Sequence, residues 1–241
     1  MQQALYLTEP GDSSAIEPSD IHQEQIGDCG LLAAFGEIAL KDPSYISNNL
    51  ISPNSDGSET VTLYNSASGG VDNFSTTQFS PVSFDIDNVF PSDSVNSGPN
   101  DSVVDGVKEI WPQVLEKAFA DDHSGYAALN NGVYDALAME TYTGQHASWE
   151  ATDDMSLAHL RRQLNRFADS SSAIVTFDTP TRKSQMPYNL IDDHAYMFDG
   201  LEVKNGHTYV ALMNPWGDHE PRLIPLNAVA NNFDQINYGK V

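Results

Sequence analysis

Gln23-Glu24-Gln25-Ile26-Gly27-Asp28-Cys29-Gly30-Leu31-Leu32-Ala33-Ala34 contains the chain's single cysteine, six residues after a glutamine and at the head of an apolar run. The run continues to Lys41, rich in Leu, Ala and Ile and free of proline, and is followed by Asp42-Pro43. These features predict a helix of about three turns, with Asp28 as its N-cap and Pro43 fixing the stop. Cys29 then falls in the first turn, where the helix dipole favours an anion and lowers a thiol's pKa.

Far downstream stand Asp193-His194-Ala195-Tyr196 and, twenty residues after His194, Asn214-Pro215-Trp216-Gly217. Thiol-based acyl chemistry needs a thiolate nucleophile, an imidazole to activate it, an amide to orient that imidazole and donors for the oxyanion. Cys29, His194, Asn214 and Gln23 supply one of each. A lone cysteine without such neighbours would read as inert core. Of the seven histidines, His123, His146 and His159 sit in polar or helix-surface contexts, and His22 merely adjoins Gln23. His207 and His219 are the nearer competitors. His194 is preferred because it opens a predicted strand that pairs with the one ending at Asn214. Trp216, two residues further on, is expected to shield the His–Asn hydrogen bond from water.

Gln-x5-Cys with Gly-Asp before the cysteine, His-Ala-Tyr, and Asn-Pro-Trp-Gly together resemble the protease core of the calpain family, within the papain-like superfamily. Between them, Trp111-Pro112-Gln113-Val114-Leu115-Glu116-Lys117-Ala118 is similar to that family's tryptophan-to-Leu-Glu-Lys-Ala helix. The resemblance implies a papain-like α+β fold with substrate lying in a cleft. A helical half, residues 1–145, would carry Gln23 and Cys29; an antiparallel β half, 146–241, would carry His194 and Asn214. Thr143-Gly144-Gln145 is similar to the family's junction between them. The implied activity is thiol endopeptidase cleavage of proteins through an acyl-enzyme. An acyltransferase or transglutaminase-like transferase would use the same triad, and a binding module that lost activity would keep the fold.

The substrate-binding candidates are Gly30, Asp193 and Trp216, and the first two depart from the family pattern. Gly30 stands where the family usually has tryptophan, so the wall of the site differs. Asp193 replaces a glycine and is expected to raise the pKa of the adjacent imidazole. The chain ends 27 residues after Asn214, so the β half is expected to be trimmed. The chemistry requires no cofactor, but calcium is the family's usual activator. Asp20 and Glu116 match two carboxylates of one family calcium site, and Glu220 matches one carboxylate of a second. Since calcium takes six to eight oxygens, these are fragments of sites.

A length of 241 residues with 40% hydrophobic and 10% aromatic content suits one large domain or two small ones. Thirty-four acidic against eleven basic residues give a net charge of −23, which excludes phosphate-based nucleic-acid binding. Such a field favours solubility and, at a substrate cleft, basic protein substrates. No stretch approaches the roughly 18 apolar residues of a membrane span. Met1-Gln2-Gln3-Ala4-Leu5 lacks the basic start and apolar core of a secretory signal. Cytoplasmic residence and export without a cleavable Sec signal both stay open, as do a larger parent chain, an inhibitor protein as partner, and a delivered bacterial effector or toxin module. One cysteine allows no internal disulfide.

Residues 51–105 are rich in Ser, Asn, Asp and Gly, with strand-forming islands at 60–64 and 82–89 and turn signals at Asn54-Ser55-Asp56-Gly57 and Ser68-Gly69-Gly70. Asn73-Phe74-Ser75 is a glycosylation sequon by pattern only. Val107, Ile110, Trp111, Val114, Leu115, Ala118 and Phe119 recur at helical spacing, and Leu157, Leu160, Leu164 and Phe167 form a second stripe. Strands are predicted at 173–177, 194–198 and 207–213, the last two joined by a hairpin-like stretch at 202–206.

Overall fold

Helix α1 (Cys29–Lys41) is apolar on every side, and residues from Gly30 to Ala39 are buried. A helix without a polar face must be surrounded, and α1 lies between the two halves of the chain. The computed structural model describes residues 2–8, 11–66, 78–99, 101–181 and 185–241. The Ser68-Gly69-Gly70 turn and the Asn73-Phe74-Ser75 sequon lie outside them. Asp28 occupies the N-cap position, yet its side chain makes no capping bond. Pro43 opens a short helical turn, Pro43–Tyr45, capped by the Asp42 side chain.

The first half adds strand β1 (Gln2–Ala4), the antiparallel β2 (Ile51–Pro53), β3 (Glu59–Ser66) and β4 (Phe79–Ile86), and the hairpin β5 (Val103–Val104) and β6 (Val107–Glu109). Pro81 is tolerated because β4 is an edge strand. The expected helix from Val107 begins later, as α2 (Trp111–Asp122). Val107 is drawn into β6 by pairing with β1, a partner more than a hundred residues away in sequence. Helix α3 (Asp135–Thr143) completes this half. Phe35 of α1 packs edge-on against Trp111 and Tyr142, at centroid separations of 5.7 and 5.9 Å.

The second half is one six-stranded antiparallel sheet. Its strands are β7 (Ser148–Ala151), β8 (Ala173–Asp178), β9 (Ala195–Lys204), β10 (His207–Met213), β11 (Ile224–Pro225) and β12 (Gln235–Lys240), in the order β11-β10-β9-β8-β12-β7. Helix α4 (Leu157–Ala168) lays Leu160, Leu164 and Phe167 of the predicted stripe on it, while Leu157, at the helix's first position, is exposed. Strand β9 starts one residue after His194 and runs through Lys204, so the predicted stretch at 202–206 shrinks to Asn205-Gly206. Both of those residues have positive φ, as a two-residue hairpin turn requires.

Packing joins the halves through α1. The helix rests on α3, β8 and β9. The buried Glu37 carboxylate accepts from Val175 N at 2.8 Å and Phe198 N at 2.6 Å, stitching α1 to two strands. Burial pushes Glu37 up to about 8. One core cluster fills the first half and takes in Ala147 and Ile174 of the second, another lies on the sheet, and Ala33, Ala195 and Met197 form a small third cluster at the seam, where Cys29 packs.

Candidate active site

Cys29 begins α1, His194 immediately precedes β9, and Asn214 immediately follows β10. The hairpin pairing of β9 with β10 brings the last two together. His194 Nε2 and Asn214 Oδ1 lie 2.8 Å apart, with only 5% and 2% of the two residues exposed. The orientation of the Asn214 amide is fixed by three further bonds, and a fourth holds its backbone. Its Nδ2 donates to the carbonyls of Asp218 at 2.8 Å and His219 at 3.4 Å, and its Oδ1 accepts from Trp216 N at 3.1 Å. Its backbone N–H is held by Glu220 Oε2 at 3.1 Å. An oxygen therefore faces the imidazole, which places the ring proton on Nε2 and leaves the Nδ1 lone pair to accept a proton.

The backbone of His194 is clamped by Thr179. The Thr179 Oγ1 accepts from His194 N at 3.0 Å, and Thr179 N donates to the His194 carbonyl at 2.9 Å. Tyr196 meets the ring edge-on at 4.9 Å and Trp216 covers it at 5.0 Å. Asp193 has φ +53°, the left-handed region in which glycine is favoured, and its carboxylate accepts from Thr181 Oγ1 at 3.0 Å.

Burial dominates the electrostatics. It pushes His194 down to about 4, outweighing the bond to Asn214 and the charge of Asp193, which act upward. Burial also pushes the Cys29 thiol up to about 12, reinforced by the charges of Asp135, Asp178 and Asp28 and opposed by a bond from the Ala195 backbone. Among the described residues no hydrogen bond joins Cys29 to His194. The resting pair is a neutral thiol beside a neutral imidazole, contrary to the lowering expected from the helix start. That expectation counted the dipole and omitted the desolvation of a site sealed by β9.

Gln23 lies on the cleft wall. Its Nε2 donates to Ile26 O at 2.8 Å and, more weakly, to Asp28 Oδ1 at 3.4 Å. Gly30, Asp193 and Trp216 line the same cavity of about 720 Å³, together with Cys29 and His194. His22 packs its ring against Gly217. A Cβ there would come within 2.2 Å of His22 Nδ1, and the φ of +72° suits glycine as well. Of the rival histidines, His207 is at the far end of the hairpin, paired with Lys204, and His219 lies next to the site on the outer side of Trp216, its exposed ring bonded to Asp218.

The carboxylates matched to calcium sites are engaged with the protein itself. Asp20 Oδ2 accepts from Trp111 Nε1 at 3.0 Å and from Glu17 N at 2.7 Å. Glu116 Oε1 accepts from Val95 N at 2.9 Å, and its carboxyl hydrogen-bonds Asp28. Glu220 holds Asn214. No group of three or more His, Cys, Asp or Glu among the described residues converges as a metal cage. As placed, these side chains do not fit an oxygen-rich calcium site. Two of the roles above carried no signal in the sequence, the clamp by Thr179 and the support of Asn214 by Glu220. Both depend on strand register and loop closure.

The model of the calpain family cysteine proteases matches residues 11–222. The chain is 29% identical to rat Calpain-9 over 217 residues, covering 84% of this chain and 29% of that protein. It is 28% identical to the calpain-type cysteine protease DEK1 of Arabidopsis thaliana over 214 residues, 86% of this chain and 9% of that one. A calpain of Schistosoma mansoni is 31% identical over 227 residues, 83% of this chain and 26% of its own length. The chain therefore spans less than a third of the length of these relatives. With its α+β fold, it belongs to the calpain family of cysteine proteases.

Proposed function

We propose that the chain is itself a thiol endopeptidase, with Cys29 as nucleophile, His194 as general base and acid, and Asn214 as the residue that orients it. The observation that carries this reading is the His194–Asn214 bond on a fixed Asn214 amide, since it leaves one ring nitrogen as acceptor in a buried cleft beside the cysteine. His194 Nδ1 takes the thiol proton as sulfur attacks the scissile carbonyl, so charge develops only with the reaction. The oxyanion receives the backbone N–H of Cys29, which at the first position of α1 has no intrahelical acceptor. A Gln23 amide hydrogen joins it, exchanging its weak 3.4 Å bond to Asp28 for the oxyanion. The imidazolium then protonates the leaving amine, and water, deprotonated by His194, hydrolyses the thioester.

The division into a Cys-bearing part (1–145) and a His-bearing part (146–241) is our reading of the chain, supported by one core cluster drawn mainly from the first part and another drawn from the second alone. We assign no step to calcium, and regard the cleft as assembled by the protein's own contacts. Proteins are the substrate class. The test is digestion of an unfolded protein in ¹⁸O-enriched water, with mass spectrometry of the fragments and a Cys29→Ala control. One ¹⁸O in each new carboxyl terminus is expected from wild type, and no fragments from Cys29→Ala. Acyl transfer to amines in place of ¹⁸O uptake would instead identify a transferase.

A further inference from the structure

The six-stranded sheet carries a second cavity, also of about 720 Å³, at the end remote from the cleft. Strand β8 brings Asp178 to the cleft and Ala173 to this cavity, and β12 brings Gln235 to one and Lys240 to the other. Five strand steps separate the two ends, about 17 Å. The floor of the second cavity is apolar. Phe167 of α4, Tyr238, Ala147 and Ala173 form it, with the rings of Phe167 and Tyr238 at a centroid separation of 5.2 Å. Arg166 and Lys240, both exposed, stand at its rim.

The charge at this rim runs against that of the whole chain. Eleven Lys and Arg stand against thirty-four Asp and Glu, yet two of the eleven meet here. Among the described residues no carboxylate lines the cavity. Two carboxylates do bond lining residues, and both are occupied. Glu140 Oε1 accepts from Ala147 N at 3.1 Å and lies 3.5 Å from His146 Nδ1. Glu150 accepts from Tyr238 Oη and Gln163 Nε2, each at 3.0 Å, and lies 2.9 Å from His159 Nε2. Arg166 sits over the Phe167 ring at 5.0 Å, and neither it nor Lys240 forms an ion pair among the described residues. Free cations above an aromatic floor suit a ligand with two parts, and the volume suits a small molecule. A bare anion meets the repulsion of a net charge of −23 and only two solvated cations to hold it. An apolar body supplies the rest by burial on the floor. We propose that this cavity binds a small amphiphilic anion, an acyl or aryl carboxylate. Its apolar body lies on Phe167 and Tyr238, and its charged end pairs with Arg166 and Lys240.

The test reads binding and does not depend on proteolysis. Anilinonaphthalene sulfonate, an aromatic anion whose fluorescence rises in an apolar site, is titrated into the intact chain and then competed off. Saturable binding is expected, with octanoate displacing the probe severalfold better than octanol or inorganic phosphate does. Arg166→Gln and Lys240→Gln should each weaken probe binding about threefold, and together about tenfold, as for exposed charge contacts. Arg161→Gln, exposed on the same helix but outside the cavity, should leave binding unchanged. Circular dichroism checks the folding of each variant. In a ¹³C-methyl spectrum octanoate should shift the signals of Ala147 and Ala173, while that of Ala195, packed beside Cys29, stays in place. Absence of saturable binding, or equal binding by wild type and the double variant, overturns the proposal. Displacement by octanol as effective as by octanoate overturns the anion preference, and with it the proposal. Shifts at Ala195 without shifts at Ala147 or Ala173 place the ligand in the cleft and overturn it as well.

Discussion

The backbone N–H of Gln23 donates to the carbonyl of Pro215 at 2.8 Å. This single bond ties the loop before the nucleophile to the loop that carries Asn214. His22 packs against Gly217 beside it, and the Cys29 sulfur takes a bond from the Ala195 backbone. Glu37 anchors the same helix to β8 and β9. The cleft is closed at its base by these contacts between the protein's own groups.

Activity in EGTA follows from these contacts. Wild type should cleave an unfolded protein in the chelator, and added calcium should change the rate only modestly. The Asp20→Asn, Glu116→Gln double variant should respond as wild type does, since neither carboxylate faces a cage. A wild type silent in EGTA and switched on by micromolar calcium would contradict the assembled cleft. Loss of a calcium response only in the double variant would restore Asp20 and Glu116 as ligands.

The neutral resting pair predicts slow chemical labelling. At about pH 7, iodoacetamide should alkylate Cys29 more slowly than it alkylates a free cysteine thiol, because the thiolate is the reactive form and burial disfavours it. Intact-mass measurement over time gives the rate. Labelling faster than the free thiol would mean that a thiolate–imidazolium pair exists before substrate arrives.

Stability should rise on mild acidification. Glu37 moves from an ordinary 4.5 up to about 8, and Asp28 from 3.8 up to about 7, both chiefly by burial. Between the ordinary and the raised values the folded protein holds protons that the unfolded chain releases. Their stabilisation is complete below the ordinary values and is lost as pH rises through the folded ones. The thermal midpoint should therefore be higher at about pH 5.5 than at about pH 8.5, with a weaker dependence in Glu37→Gln. A midpoint that falls on acidification across this range would contradict the buried-acid assignment.

Gln23→Ala should lower kcat by about 10²–10³, the usual loss for one oxyanion donor. Steady-state kinetics on a peptide checks it. An unchanged kcat would leave Gln23 only its bond to Ile26, bracing the turn that leads into α1.

Much of this site was legible because its members lie in short contiguous motifs. Cys29 heads an apolar helix, and His194 and Asn214 bracket a hairpin whose alternating residues and Asn-Gly turn are local signals. What was hidden depends on distant pairing. Strand β12 went unread, although it places Gln235 and Asn237 on Asp178. Val107 read as helix because its spacing fits one, while β1 decides otherwise. Asp28 read as a cap because sequence alone does not reveal Glu116 beside it. The pKa directions at Cys29 and His194 likewise depend on burial, which motif spacing does not encode.

The most direct measurement is kcat/KM on one unfolded protein substrate for wild type, Cys29→Ala, His194→Ala and Asn214→Ala, with folding of each variant checked by circular dichroism. Cys29→Ala and His194→Ala should show no turnover above background, and Asn214→Ala a measurable remnant, since it only orients the base. Turnover retained by a folded Cys29→Ala protein would contradict the thiol mechanism outright.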